Sequence, residues 1–324
     1  MMAAGKSSVN KGKEGYGFKV KDYAIYFIMI GIFIVFAVAL RNRGFLSIVN
    51  VMNIFRQTAI ISIMAVGFTF MLASGEFDLS IGSTVALCAL VGSLMLQKTG
   101  IFPALIVAVA VGAAVGFANG FFVVKARMPS FLATIAMMGI IHGLARWITH
   151  LQAIPVLNNR FTYIFGGGNV GPIPTLFIWT ILIMVIGHIA MVKTLFGRKV
   201  LAIGGNVTAA RLAGINTEKV KWTLFVIMGM IASLSGLLYT GRLHAARYTY
   251  GERDLFTIVA AVVIGGNSIY GGTGSIIGAV VGSLILGMVN NGLILFGFSV
   301  DQQVIFRGVM ILVAVALSPT KPKE

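Results

Sequence analysis

Charge is scarce in this chain. Only 10% of its 324 residues are Asp, Glu, Lys or Arg, and nine are acidic. A soluble domain of ordinary make-up carries roughly a quarter charged residues, so a soluble globular protein is excluded by composition. Cysteine is nearly absent: Cys88 stands alone inside an apolar run, which excludes a disulfide framework and leaves an inert buried thiol. The four histidines, His142, His150, His188 and His244, have no metal-ligand spacing, so no metal site is expected. No segment matches G-x-x-x-x-G-K-[ST], which excludes ATP binding through a P-loop on this chain. The apolar runs hold no paired carboxylates, histidine pairs or nucleophile–base sets, and this argues against an enzyme.

What is present is apolar. Hydrophobic residues make up 58% of the chain and its mean hydropathy is +0.95, the composition of an integral membrane protein. The run IYFIMIGIFIVFAVAL (25–40) is continuously apolar, whereas a barrel strand alternates, so the spans are helices. Candidate spans are 23–40, 55–73, 80–96, 102–124, 131–148, 176–192, 222–243, 255–264, 275–296 and 304–318. The expected fold is an all-α polytopic membrane protein of about ten transmembrane helices, the eighth too short to cross alone. The domain layout is a polar, basic tail (1–22), a membrane domain (23–318) and a short tail (319–324).

The net charge of +16 comes from 25 Lys and Arg residues clustered between spans, so it reports topology. Nucleic acid is not an expected partner, since no basic face exists outside those loops. The charge bias puts both termini in the cytoplasm. The Gly- and Pro-rich loop 149–175 then lies outside and the basic loop 193–221 inside. Small-residue spacings at 112–116 and 278–282 suit close helix packing.

Two breaks interrupt the apolar pattern. GEFDLSIGS (75–83) sets Glu76 and Asp78 between two spans, where Asp78 or Ser80 suits an N-cap; irregular backbone there also fits a pathway or gate. GGNSIYGGTGS (265–275) is a second break, with Asn267, Ser268 and Tyr270 among its glycines. Asn119, Asn290 and Asn291 lie in or beside spans and suit interhelical hydrogen bonds better than solute contact. In the basic loop, Gly204-Gly205 breaks the chain. Asn206 or Thr208 caps a short helix through Ala209, Ala210, Arg211, Leu212 and Ala213, and Gly214 ends it.

GGNVTAARLAGI (204–215), with GEFDLSIGS, NGFFVVKARMPSFLAT (119–134) and GGNSIYGGTGSIIGA, resembles the membrane permease subunit of bacterial ABC importers of the ribose and simple-sugar type. The resemblance runs from about residue 48 to 317, with the four motifs in the family's order. It implies a type II importer-like permease fold in the bacterial inner membrane. It further implies a coupling helix made by Gly205, Asn206, Ala209, Ala210, Arg211, Leu212, Gly214 and Ile215. The implied partners are a second permease chain, a cytoplasmic ATPase that holds ATP and Mg, a periplasmic sugar-binding protein landing on 149–175 and 242–252, and membrane lipid. No cofactor is expected on this chain. Glu76, Asp78, Ser80, Asn119, Asn267, Ser268, Tyr270, Asn290 and Asn291 become candidates for the pathway or gate. The family pattern is GGIDLS, so Glu76 is a local departure. The alternative is a proton-coupled secondary transporter, which needs an acid in its pathway; Asp78, Asp254 and Asp301 are the candidates.

Overall fold

All ten apolar runs fold as helices over their described residues in a computed structural model that describes residues 20–316. The tails expected at 1–22 and 319–324 lie outside the described residues, except that residues 20–22 open the first helix. In chain order the helices begin with α1 (Val20–Ala39), α2 (Ile48–Ala73), α3 (Ile81–Thr99), α4 (Ile101–Gly120) and α5 (Ser130–Thr149). They continue with α6 (Asn159–Thr162), α7 (Thr175–Lys193), α8 (Leu195–Gly205), α9 (Val207–Leu212) and α10 (Thr217–Leu243). The last three are α11 (Asp254–Ile264), α12 (Ile276–Phe296) and α13 (Val300–Ala316). A 3-10 turn (Arg41–Arg43), two π-helical turns (Phe121–Lys125 and Tyr163–Gly167) and two small antiparallel ladders complete the list: β1 (Ile154–Pro155) with β4 (Ala245–Ala246), and β2 (Asn169–Val170) with β3 (Ile173–Pro174).

Among the described residues, seven helices are long and apolar enough to cross a membrane. The count falls below ten because the described apolar part of α1 (Ala24–Ala39), α11 and α13 are shorter. At 1.5 Å per residue, the 11 residues of α11 reach only about 16 Å, roughly half a hydrocarbon core of about 30 Å. As a helix, the eighth span is therefore too short to cross alone.

Helices α2, α3, α10 and α12 are mostly buried, while α4, α5 and α7 bury one stripe and expose the rest. On α5 the buried stripe is Ala133, Met137, Ile141 and Ala145, at helical spacing. On α4 it is Ala104, Ala108, Gly112 and Gly116. A Cβ on Gly112 would collide with the Gly229 carbonyl of α10, and one on Gly229 with the Gly112 carbonyl. Gly278 and Gly282 of α12 meet Gly265 and Ala261 in the same way. Both small-residue spacings are packing devices, and away from its spacing α4 exposes Phe102, Ile106 and Phe117.

The bundle has two ends. One gathers α8, α9, the start of α10 and both breaks, tied by the Lys125–Glu218 ion pair at 3.2 Å. The other gathers the ladders: Val156 N–H donates to the His244 carbonyl at 2.9 Å, and Gln97 Nε2 to the Pro155 carbonyl at 2.9 Å.

Candidate functional site

Helix α9 is two turns or less, and local chemistry defines both its ends. Asn206 is the N-cap, its Oδ1 accepting from Ala209 N–H at 3.0 Å. At the far end Gly214 takes φ +81°, its N–H donates to Arg211 at 2.9 Å, and Ile215 N–H donates to Ala210 at 3.0 Å. That pair of bonds is a Schellman closure, which needs a left-handed residue where glycine stands. Ala210 is buried against the bundle, whereas Gly205, Ala209 and Arg211 are exposed and Leu212 is 86% exposed. Arg211 Nε donates to Thr217 Oγ1 at 3.0 Å, which ties α9 to the first residue of α10.

Directly ahead of α9, the end of α8 meets both breaks. A Cβ on Gly204 would collide with the Ala73 carbonyl and with Gly272 N. Gly272 N–H itself donates to the Ala73 carbonyl at 3.0 Å. Close approach needs glycine here, because any side chain would wedge α8 away from the ends of α2 and the second break. Three segments far apart in sequence thus share one junction: the ends of α2 and α8 and the glycine turn at 271–272.

The first break is filled with polar groups. Asp78 is 2% exposed, and its Oδ1 accepts from Ser80 N–H at 2.9 Å and Ser80 Oγ at 2.6 Å. Asn119 Nδ2 donates to Ser80 Oγ at 2.8 Å and lies 3.5 Å from Asp78 Oδ1. Ser80 is the N-cap residue of α3 but makes no side-chain cap bond, so Asp78 organises the turn before the helix instead of capping it. Burial pushes the Asp78 carboxyl up from its ordinary value, and the bonds from Ser80 and Asn119 pull it down. From α5, Ser130 Oγ accepts from Phe77 N–H at 3.2 Å and Thr134 Oγ1 from Leu79 N–H at 3.1 Å. Glu76, 7% exposed, forms an ion pair with Lys221 of α10. The departure from the family's glycine therefore has a partner, and Lys221 supplies it.

The second break is closed by Asn267, fully buried, whose Nδ2 donates to the Val262 carbonyl at 2.8 Å and whose Oδ1 accepts from Ser275 N–H. Ser268 Oγ accepts from Tyr270 N–H at 3.1 Å, and the Tyr270 ring is half exposed. Asn291 pairs with Asn50 of α2 through reciprocal amide bonds of 2.9 and 3.0 Å. Asn290 stands apart and lines a cavity between α2, α10, α11, α12 and α13. The structure thus brings Glu76, Asp78, Ser80 and Asn119 together, and sets Asn267, Ser268 and Tyr270 in the other break.

Residues 50–315 match the family described as "Branched-chain amino acid transport system / permease component". The chain belongs to this permease family. It is 39% identical to the ribose import permease protein of Bacillus subtilis (strain 168) over 295 residues, 90% of this chain and 92% of that one. The ribose import permease protein of Escherichia coli (strain K12) is 38% identical over 88% of this chain and 90% of its own. The L-arabinose transport system permease protein of the same strain is 31% identical over 99% of this chain and 95% of its own. No solved structure matches the chain.

In this permease the sequence pattern concealed a second polar group. Tyr239 Oη donates to Asp254 Oδ2 at 2.6 Å, and Arg242 and Arg307 bring positive charge near the same carboxylate. Arg56 of α2 donates to Asn169 Oδ1 at 2.6 Å. Asp254 was visible only as an acid at the edge of a short span. Its partners lie on α10 and α13, and no local spacing reveals them.

Proposed function

We propose that this permease is the membrane-spanning subunit of an ATP-binding-cassette importer, carrying a sugar or sugar-like solute across the inner membrane by alternating access. The observation that carries this reading is the match to ribose import permeases along about nine-tenths of both chains. The chain is a transport subunit and not an enzyme. ATP and Mg are held by a separate ATPase, which seats α9 in a cleft on its surface. Leu212 supplies the apolar anchor, Ala209 and Gly205 allow close approach, and the part of the Arg211 guanidinium beyond Nε is left to meet acid on that partner.

The α9 end faces the cytoplasm, as do both termini. The ladder end faces the periplasm, where 149–175 and 242–252 receive a sugar-loaded binding protein. A second permease chain, identical or similar, completes the pathway, and the groove of about 780 Å³ between Glu252, Phe256, Asp301 and Leu312 opens on that side. Closure of the ATPases pulls α9. The glycine junction passes the pull to the ends of α2 and α8 and to the second break, so both breaks flex together. The relatives above offer no support for a proton-coupled carrier.

The test is co-purification of detergent-solubilised chain with its ATPase, wild type beside Leu212→Glu and Arg211→Glu, followed by ATP-dependent uptake of D-ribose and L-arabinose in proteoliposomes. Wild type should bring down the ATPase. Leu212→Glu, placed on an 86% exposed side chain, should fold normally and lose about tenfold or more in association, roughly 1.4 kcal/mol or above. A wild-type chain that purifies alone and drives uptake without ATP overturns the proposal.

A further inference from the structure

The cavity between α2, α10, α11, α12 and α13 has a volume of about 160 Å³, room for one small solute. Its lining mixes apolar residues such as Ile61, Leu286 and Met310 with polar ones. The half-buried side-chain amides of Gln57 of α2 and Asn290 of α12 both line it and make no hydrogen bond to any described residue. Thr257 Oγ1 of α11 is buried there without a partner. A buried polar group left unpaired costs about 1–3 kcal/mol, and Thr257 Oγ1, set beside two half-buried amides with no partner of their own, marks a place where something else binds. Asp254 and Arg307 complete the set, with Tyr239 Oη donating to one oxygen of the carboxylate. Ionisable groups inside a membrane bundle mark solute routes by default.

The chemistry of the lining selects among solutes. A carboxylate, Asp254, and a guanidinium, Arg307, line it together with Arg242 nearby, so neither sign of solute charge is favoured throughout. An aliphatic side chain would leave the amides, the hydroxyl and the charges unpaired. A neutral polyol satisfies all of them, because each hydroxyl both donates and accepts: the carboxylate takes protons, the guanidinium gives them, and the amides do both. Arg307 also lines the neighbouring groove of about 780 Å³, so its side chain stands between the cavity and a wider space.

We propose that this cavity is a transit site for a neutral polyhydroxylated solute. In it Asp254 accepts from neighbouring hydroxyls of the solute, while Asn290, Gln57 and Thr257 hold the rest of the ring. The proposal rests on the sugar-permease reading and deepens it, assigning solute contact to these helices in addition to the binding protein. Occupancy is brief, as transport needs a site weak enough to leave.

The test measures sugar uptake and ATP hydrolysis together in proteoliposomes holding the whole transporter, with D-ribose and L-arabinose as probes. Asp254→Asn and Asn290→Ala are compared with wild type and with Gly139→Ala, which points into open space on α5. Both cavity variants should keep the ATPase bound and its hydrolysis within about twofold, while sugar delivered per ATP falls about tenfold. Asn290→Ala breaks no side-chain hydrogen bond to any described residue, so it remains informative if Asp254→Asn fails to fold. Unchanged delivery per ATP in Asn290→Ala, or a parallel fall of hydrolysis and uptake, overturns the transit site and leaves the permease reading standing. A wild-type complex that never forms, or that hydrolyses ATP and carries neither sugar, overturns both.

Discussion

Asp78 is a buried acid whose three bonds all land on one oxygen, so its neighbours need an acceptor there and not a charge. Its carboxyl is raised by burial, so the folded protein holds that proton to higher pH than the unfolded chain does. Stability from this group is present below the ordinary carboxylate value and declines as pH rises through the raised one. Asp78→Asn keeps the acceptor and removes the charge; its thermal midpoint in detergent should match or exceed wild type at neutral pH and lose that decline. Asp78→Ala strands the Ser80 N–H and should cost about 1–3 kcal/mol. Glu76 behaves differently, because its charge is paired. Lys221→Met leaves a carboxylate 7% exposed without its cation and should cost about 3–5 kcal/mol, while Glu76→Gln in the same chain should recover most of that loss. Both acids were visible in the stretch GEFDLSIGS. The Lys221 partner was not, since it lies 145 positions away on another helix.

Helix α4 meets α10 backbone to backbone, and α12 meets α11 likewise, so the glycines at these crossings are specific to their sites. Gly112→Ala puts a methyl against the Gly229 carbonyl and should cost about 1–3 kcal/mol by overpacking. Gly139→Ala on α5 meets nothing within 4 Å and should stabilise by about 0.5–1 kcal/mol, the usual gain over glycine in a helix. Thermal unfolding of the two variants side by side checks the contrast. Apolar run length revealed the ten helices, and the Asn206 cap and Gly214 closure revealed α9, because these signals are local. Helix α8 was missed: Gly197, Arg198, Lys199, Gly204 and Gly205 make Leu195–Gly205 look like a connector. Its buried residues Gly197, Val200 and Ile203 do recur every third position and anchor it under α2 and α10, but the glycines and basic residues around them mask that face in the sequence.

The junction at Ala73, Gly204 and Gly272 is the point where the bundle gains a mechanism. In the coupling proposed above, a movement of α8 and α9 would reach the end of α2 and the turn before α12 through the backbone contacts of Gly204 with Ala73 and Gly272. Gly204→Val should push these segments apart. The expected outcome is a complex that still binds its ATPase and hydrolyses ATP, while ATP-dependent uptake of D-ribose falls about tenfold or more. If uptake and hydrolysis stay coupled, force does not pass through this junction.

The sequence alone settled the class of molecule, the positions of the apolar helices, the two breaks and the capped helix α9. Composition, run length and capping chemistry act between residues a few positions apart, so they can be read along the chain. Folding decided which motif touches which. It brought Ser130 and Thr134 to the backbone of the first break, Lys221 to Glu76, and Gly204 to Ala73 and Gly272. It also enclosed Asp254, Asn290 and Gln57 around one cavity, although three different helices supply them. Such contacts depend on how helices cross and on the distance at which their backbones pack. Those distances are set by the small residues of both partners at once, a property of pairs of segments and not of either one.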